Sequence, residues 1–92
     1  MPSWQGISVW GMQKYTYCYI KLGESVKEAR EKAKLSQRRL AAMCNLHYNT
    51  INALENGRGR ANIDTVFRVS DALDVDFVAL LDHYYKNVPR GE

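Results

Sequence analysis

The sequence predicts an all-α domain of five helices, preceded by an aromatic N-terminal segment. From Leu22 onward the apolar residues recur at helical rather than strand spacing. Ser36, Asn62 and Asp76, which are favourable helix N-caps, each precede one of these periodic segments. The length of 92 residues, 46% of them hydrophobic, suits one small domain and not two.

The N-terminal segment, residues 1–20, is predicted to be an arm that is extended or partly disordered. It holds half of the chain's aromatic residues and a single charge, Lys14. Tyr15, Tyr17 and Tyr19 alternate with other residues, and this period of two predicts a short strand. A lone strand is unstable. We therefore expect it to pack on the helices, pair with a second copy or stay disordered, and Met12 is an alternative translation start.

The first three helices follow this arm. Leu22, Val26, Ala29 and Ala33 lie on one face of a helix over about 21–34. A short second helix over 37–43 follows the Ser36 cap. The chain then turns at residue 45, where asparagine tolerates the left-handed conformation. The third helix covers 48–56 and begins without a good N-cap, because histidine occupies position 47.

Two further helices complete the predicted domain, which spans residues 21–84. The fourth helix starts after Asn62 and ends near Leu73. Asp76 caps the fifth helix, which carries Phe77 and extends to about Tyr84. Residues 85–92 are expected to form a C-terminal tail. The aromatic side chains near position 84 either cover the fifth helix or belong to a subunit interface.

Charge is distributed unevenly along the chain, although the net charge is only +3. Residues 21–61 contain nine cations and four acids, a net +5, whereas residues 62–92 contain three cations and six acids, a net −3. This asymmetry favours a polyanion partner for the middle of the chain. The alternative is that these blocks are ordinary solvated faces.

The segment LSQRRLAAMCNLHYNTINALENG, residues 35–57, predicts a helix-turn-helix over residues 36–56. Its second helix is amphipathic: Ile51 and Leu54 lie on the packing side, while Tyr48, Asn49 and Asn52 lie on the outer side. The major groove of B-DNA admits one α-helix, and residues on its outer face can reach base edges. The pattern therefore points to double-stranded DNA as the partner.

With these motifs in place, the chain resembles the phage-repressor or Cro-type (XRE) family, whose members have a five-helix, lambda-repressor-like fold. The resemblance covers about residues 22–81. It is carried by LSQ at 35–37, LA at 40–41, TI at 50–51, ENG at 55–57 and ALDV-x-F at 72–77. The sequence departs from the family pattern where Asn45 and Asp74 replace glycine, His47 replaces serine and Ala61 replaces proline.

The resemblance implies a role for each matching residue. Tyr48, Asn49 and Asn52 occupy base-reading positions. Arg30 and Glu55 match a structural ion pair between the first and third helices. The positions that contact the DNA backbone are held by Gln37, Arg38, Asn56, Arg58 and Arg60. On the residues alone, the two asparagines can also be plain exposed polar groups, and Tyr48 can instead pack on a neighbour.

The expected function is a sequence-specific transcriptional regulator that binds a palindromic operator as a homodimer, through the third helix in the major groove. The alternative is an antitoxin or another protein-interaction module of a two-protein system, in which the aromatic arm wraps a protein partner and DNA binding serves autoregulation. We expect no enzyme activity, cofactor or metal, because no nucleophile–base set, phosphate-binding loop or cluster of metal ligands is evident. No apolar run or signal sequence points to a membrane, so a cytoplasmic location is expected.

Overall fold

The structure, a computed structural model, describes the backbone of residues 3–58 and 61–87 and the side chains of residues 16–58 and 61–87. These residues form five helices: α1 (Ser3–Lys32), α2 (Gln37–Cys44), α3 (Tyr48–Glu55), α4 (Ile63–Leu73) and α5 (Phe77–Asn87). The described part of the chain contains no strand. The all-α prediction is therefore confirmed.

The prediction of an extended or strand-forming arm is wrong for residues 3–20, because α1 begins at Ser3. A helix that is already formed propagates by adding one hydrogen bond per ordered residue, which outweighs the weak strand preference of alternating tyrosines. The period of two also masked a helical stripe: Cys18, Leu22 and Val26 are four residues apart, and all three are buried. The side chains of Trp4, Trp10 and Tyr15 lie outside the described residues.

The core is formed by one apolar face from each helix. Its fully buried large side chains are Leu22, Val26, Leu40, Ile51, Val69 and Phe77. Helix α1 packs against α3 and α5, and α2 packs against α3 and α4. Burying a side chain of this size contributes about 1.5–3 kcal/mol each. Every helix is thus held by apolar contacts on its inner side, which leaves the outer sides of α2 and α3 free.

The expected caps are formed. Ser36 Oγ accepts a hydrogen bond from the Arg39 amide at 3.0 Å, and Asn62 Oδ1 accepts one from the Thr65 amide at 2.8 Å. Asp76 Oδ1 accepts from the Ala79 amide at 3.0 Å. His47 makes no side-chain cap, as its residue type predicted. These caps fix where α2, α4 and α5 begin.

The ends of α2 and α3 differ from the predictions by one residue each, and those of α1 and α5 differ by more. Helix α1 ends at Lys32 instead of position 34, because Lys34 adopts a left-handed conformation (φ 59°) and the Leu35 amide bonds back to the Arg30 carbonyl oxygen at 3.1 Å. This pattern is a common C-terminal stop. Helix α5 continues to Asn87, so residues 85–87 belong to that helix rather than to a tail. Residues 88–92 lie outside the described part.

Candidate DNA-binding surface

Helices α2 and α3 form a helix-turn-helix whose turn is set by Asn45. This residue is left-handed (φ 55°, ψ 46°), and its amide bonds back to the Ala41 and Ala42 carbonyl oxygens. The Leu46 amide then bonds to the Ala41 carbonyl oxygen at 2.9 Å. Asparagine takes this conformation more readily than most residues because its short polar side chain interacts locally. The turn directs α3 across α2 within three residues.

Helix α3 divides into a packing side and an outer side, as the sequence predicted. Ile51 and Leu54 are 0% and 6% exposed, whereas Tyr48 and Asn49 lie on the surface. An α-helix such as α3 is about 10–12 Å across with its side chains. That diameter matches the width of the B-DNA major groove, about 12 Å.

A buried ion pair anchors the C-terminal end of α3 to α1. Arg30 Nε donates to Glu55 Oε2 at 2.6 Å, and Arg30 Nη2 donates to Glu55 Oε1 at 3.0 Å. The Glu55 side chain is only 2% exposed. The hydrogen bond to this carboxylate raises the pKa of Arg30 above its ordinary value, against the opposing effect of burial. Arg30 Nη1 also donates to the Leu35 carbonyl oxygen at 2.7 Å, so Arg30 links α1, α3 and the turn between α1 and α2.

Close backbone contact reinforces this anchor. Gly23 of α1 lies against the carbonyl oxygens of Leu54 and Glu55, and a Cβ atom at position 23 would stand 2.7 Å from the Glu55 oxygen. Gly57, in the left-handed region at φ 66°, lies against Ile20. Glycine meets both requirements without distortion, the lack of room for a Cβ atom at position 23 and the left-handed backbone at position 57. The position of α3 is therefore fixed by α1 at two places.

The three predicted base-reading residues share the outer side of α3 but differ in their surroundings. Tyr48 is 38% exposed, and the Arg38 guanidinium lies 4.8 Å from its ring centroid, a cation–π distance. Asn49 is exposed, and among the described residues its side chain has no hydrogen-bond partner. Asn52 is half-buried, and its amide bonds to both Gln37 and Arg58.

The predicted phosphate-contacting residues surround this side of α3. Gln37 is half-buried: its Nε2 donates to Glu55 Oε1 at 2.9 Å. Arg38 and Arg58 are exposed. Asn56 Nδ2 donates to the Asn52 carbonyl oxygen at 2.8 Å, which occupies one of its donors at the end of α3. Arg60 lies outside the described residues.

The outer surface of α2 and α3 carries positive charge without nearby compensation. Among residues 16–58 and 61–87, no carboxylate forms an ion pair with Arg38, Arg39 or Arg58. Cations in the first turn of a helix such as α2 are unfavourable beside the helix dipole. Glu55, the acid of this region, is neutralised by Arg30. The surface is therefore suited to an anion.

Comparison with known proteins decides the family. A family model described as helix-turn-helix matches residues 26–80, which include α2, α3 and α4 entire and the first turn of α5. The chain belongs to the XRE-type helix-turn-helix family of DNA-binding transcriptional regulators. The chain is also similar to the control protein C.BamHI of Bacillus amyloliquefaciens, with 36% identity over 61 residues. That alignment covers 65% of this chain and 75% of the control protein.

The described residues offer no site for a metal ion. Nowhere in this part of the XRE-type chain do three His, Cys, Asp or Glu side chains come together as metal ligands. Cys18 and Cys44 are buried thiols without a disulfide, and burial raises the pKa of the Cys44 thiol. None of the helices in the described part has the length and apolar character needed to cross a membrane.

Two features that hold this surface in place were not predicted from the sequence. Gly23 lies inside a helical pattern, and such a glycine is a recognised signal of close packing that could have been used. The hydrogen bond from Arg58 to Asn52 joins a loop residue to a helix residue six positions earlier. No regular spacing encodes such a contact.

Proposed function

We propose that the protein is a sequence-specific transcriptional regulator that binds a palindromic operator as a homodimer and inserts α3 into the major groove. The observation that supports this most strongly is the outer side of α3, where Tyr48 and Asn49 are exposed beside uncompensated arginines. Asparagine can pair with adenine, and arginines supply the phosphate contacts. The relative C.BamHI carries the name control protein, which agrees with a regulatory role.

The arrangement separates specificity from affinity. Tyr48 and Asn49 would contact bases, and Asn52 lies beside them on the same side of α3. Arg38, Arg58 and Arg60 supply three cations per subunit, and Gln37 and Asn56 supply neutral donors. Six cations in a dimer predict a slope of log K against log salt of about −5, since each neutralised phosphate contributes about −0.9.

The homodimer is proposed from the exposed apolar side chains of α4 and α5. Ile63 and Phe67 are 55% and 54% exposed and lie one turn apart on α4, and Val78 and Tyr85 of α5 are 38% and 40% exposed. A chain of this size buries only about 60–65% of its surface when it folds alone. Pairing of these surfaces would cover apolar area and place two α3 helices on one side, about 34 Å apart for successive major grooves.

The alternative of an antitoxin-type module depended on an extended aromatic arm that wraps a partner. Residues 3–20 are helical in α1. The structure therefore supplies no observation that favours this alternative over the regulator.

Selection of bound duplexes from random DNA tests the proposal. The selected duplex should be a palindrome, and fluorescence anisotropy should show affinity at least about 1,000-fold above a scrambled duplex of equal length. The affinity for both the selected and the scrambled duplex should fall steeply when the salt concentration is raised. Equal affinity for selected and scrambled DNA would contradict sequence-specific binding.

Two variants separate the roles at the surface. Asn49→Ala should weaken binding to the selected duplex and leave binding to scrambled DNA unchanged. Arg38→Gln should weaken binding to both and make the salt slope shallower by about 0.9 per subunit. Lys86→Gln on α5 is the matched control for loss of a cation, and it should leave both affinities unchanged. Sedimentation equilibrium should give a dimer, which Phe67→Glu should convert to a monomer.

A further inference from the structure

The amide of Asn52 is already bonded within the protein at both of its polar atoms. Its Nδ2 donates to Gln37 Oε1 at 3.2 Å, and its Oδ1 accepts from Arg58 Nη2 at 2.5 Å. The bidentate contact that asparagine makes with adenine uses these same two atoms. The side-chain amide of Asn49, on the same side of α3, makes no hydrogen bond to another described residue. The two asparagines are therefore not equivalent.

The orientation of the Asn52 amide is dictated by the ion pair beneath it. The Glu55 carboxylate only accepts hydrogen bonds, so the Gln37 side chain must turn its Nε2 towards Glu55 Oε1, at 2.9 Å. Gln37 Oε1 then faces Asn52 and requires a donor, which is Asn52 Nδ2. Asn52 Oδ1 consequently points the other way and requires a donor of its own. Arginine has only donors, so Arg58 is the matching residue.

These hydrogen bonds, from Glu55 through Gln37 and Asn52, hold the Arg58 side chain against the outer side of α3. The Arg58 amide is also fixed, at 2.9 Å from the Ala53 carbonyl oxygen. Arg58 borders a depression of about 360 Å³ that Asn49, Thr50 and Ala53 of α3 also line. The guanidinium is hydrogen-bonded to Asn52, and Arg58 borders the same depression as Asn49, so Arg58 adjoins two of the predicted base-reading positions. It gives one N–H to Asn52, which leaves four of its five donors for DNA.

We propose that Asn52 is a positioning residue that holds Arg58 for bidentate contact with a guanine, so that Arg58 determines the base at one operator position. Arginine paired with guanine O6 and N7 is the commonest specific contact in the major groove. This role replaces both the base-reading expected of Asn52 and the phosphate contact expected of Arg58, so that four arginine–phosphate contacts remain in a dimer and the expected salt slope becomes about −4. It rests on the proposed function, because it requires α3 to lie in the major groove.

A double-mutant cycle on the selected duplex tests the positioning role. Asn52→Ala and Arg58→Ala should each weaken binding about 5- to 100-fold, the range for losing one bidentate base contact. The double variant should bind within about twofold of Arg58→Ala, because Asn52 acts through Arg58. The matched control cycle combines Asn49→Ala with Arg58→Ala, and there the two fold-losses should multiply.

Base substitutions test the guanine contact. Asn52→Ala and Arg58→Ala should lose preference at the same G·C pair, and 7-deazaguanine at that position should weaken the wild-type protein but not Arg58→Ala. Arg58→Lys keeps the charge without the planar fork, so it should keep the salt slope and lose the guanine preference. A phosphate contact would instead leave Arg58→Lys with the wild-type preference at every position.

The outcomes distinguish this role from the proposed function. The positioning role would be overturned if the losses of affinity for Asn52→Ala and Arg58→Ala multiplied in the double variant, or if Arg58→Lys kept the wild-type base preference. Either result would leave sequence-specific binding intact. Equal affinity of the wild-type protein for selected and scrambled DNA would overturn both. Thermal unfolding followed by circular dichroism should show every variant folded at the assay temperature: Arg58→Ala should match the wild type because Arg58 is exposed, and Asn52→Ala should melt a few degrees lower because Asn52 is half-buried and Gln37 Oε1 loses its donor.

Discussion

Removal of the Glu55 carboxylate should destabilise the protein by about 3–5 kcal/mol, because it leaves the Arg30 guanidinium without its partner. Glu55 accepts three hydrogen bonds, two from Arg30 and one from Gln37, and its side chain is 2% exposed. A small domain has a free energy of unfolding of about 5–15 kcal/mol, so Glu55→Ala should remove a large part of it. The melting temperature should fall by at least about 12 °C.

Urea unfolding followed by circular dichroism, at one fixed protein concentration, measures this loss. The control is Glu28→Ala, which breaks the exposed Lys32–Glu28 pair on α1 and should cost less than about 1 kcal/mol. Replacing both buried partners, as Arg30→Met with Glu55→Met, should recover much of the loss because no charge is left unpaired. A cost for Glu55→Ala as small as that of Glu28→Ala would refute the assignment of this pair as the anchor of α3.

Three further predictions concern packing and chemistry. Gly23→Ala should lower the free energy of unfolding by at least about 1 kcal/mol in urea titrations, because the new Cβ collides with the carbonyl oxygens at the end of α3; an unchanged midpoint would contradict this close contact. Gly57→Ala should also lower the free energy of unfolding in urea titrations by about 1–2 kcal/mol, because the backbone is left-handed (φ 66°) and the new Cβ would stand 3.0 Å from Ile20. Burial raises the pKa of the Cys44 thiol, so in a Cys18→Ala background its alkylation at pH 8 should be much slower in the folded than in the urea-unfolded protein. The free energy of unfolding should also decline as the pH rises beyond about 9, because the unfolded state then loses the thiol proton more readily than the folded state. Equal alkylation rates would show that Cys44 is accessible.

The five helices and the division of α3 into two sides were predictable because each is encoded locally. Apolar spacing of three and four residues marks the buried face, and Ser36, Asn62 and Asp76 mark helix starts by a hydrogen bond within one turn. The turn at Asn45 follows from the conformational range of that residue type. Such signals need only neighbouring residues.

Longer-range features could not be derived in this way. The alternating tyrosines of residues 15–19 predict a strand locally, but the buried stripe that begins at Cys18 continues α1 as a helix. The bonding of Asn52 depends on the order in which Glu55, Gln37 and Arg58 meet in space. The place of Asn52 on the outer side of α3 therefore predicts base-reading, whereas its hydrogen-bond partners support the positioning role proposed above.

Placement of α3 in the major groove of a two-fold operator is tested most directly by methylation with dimethyl sulfate. This reagent attacks guanine N7 in the major groove and adenine N3 in the minor groove, so one experiment reports on both. On the selected duplex the protein should protect guanine N7 in two symmetric half-sites, about 10 base pairs apart from centre to centre. Protection confined to adenine N3, or a single unpaired patch, would contradict the account.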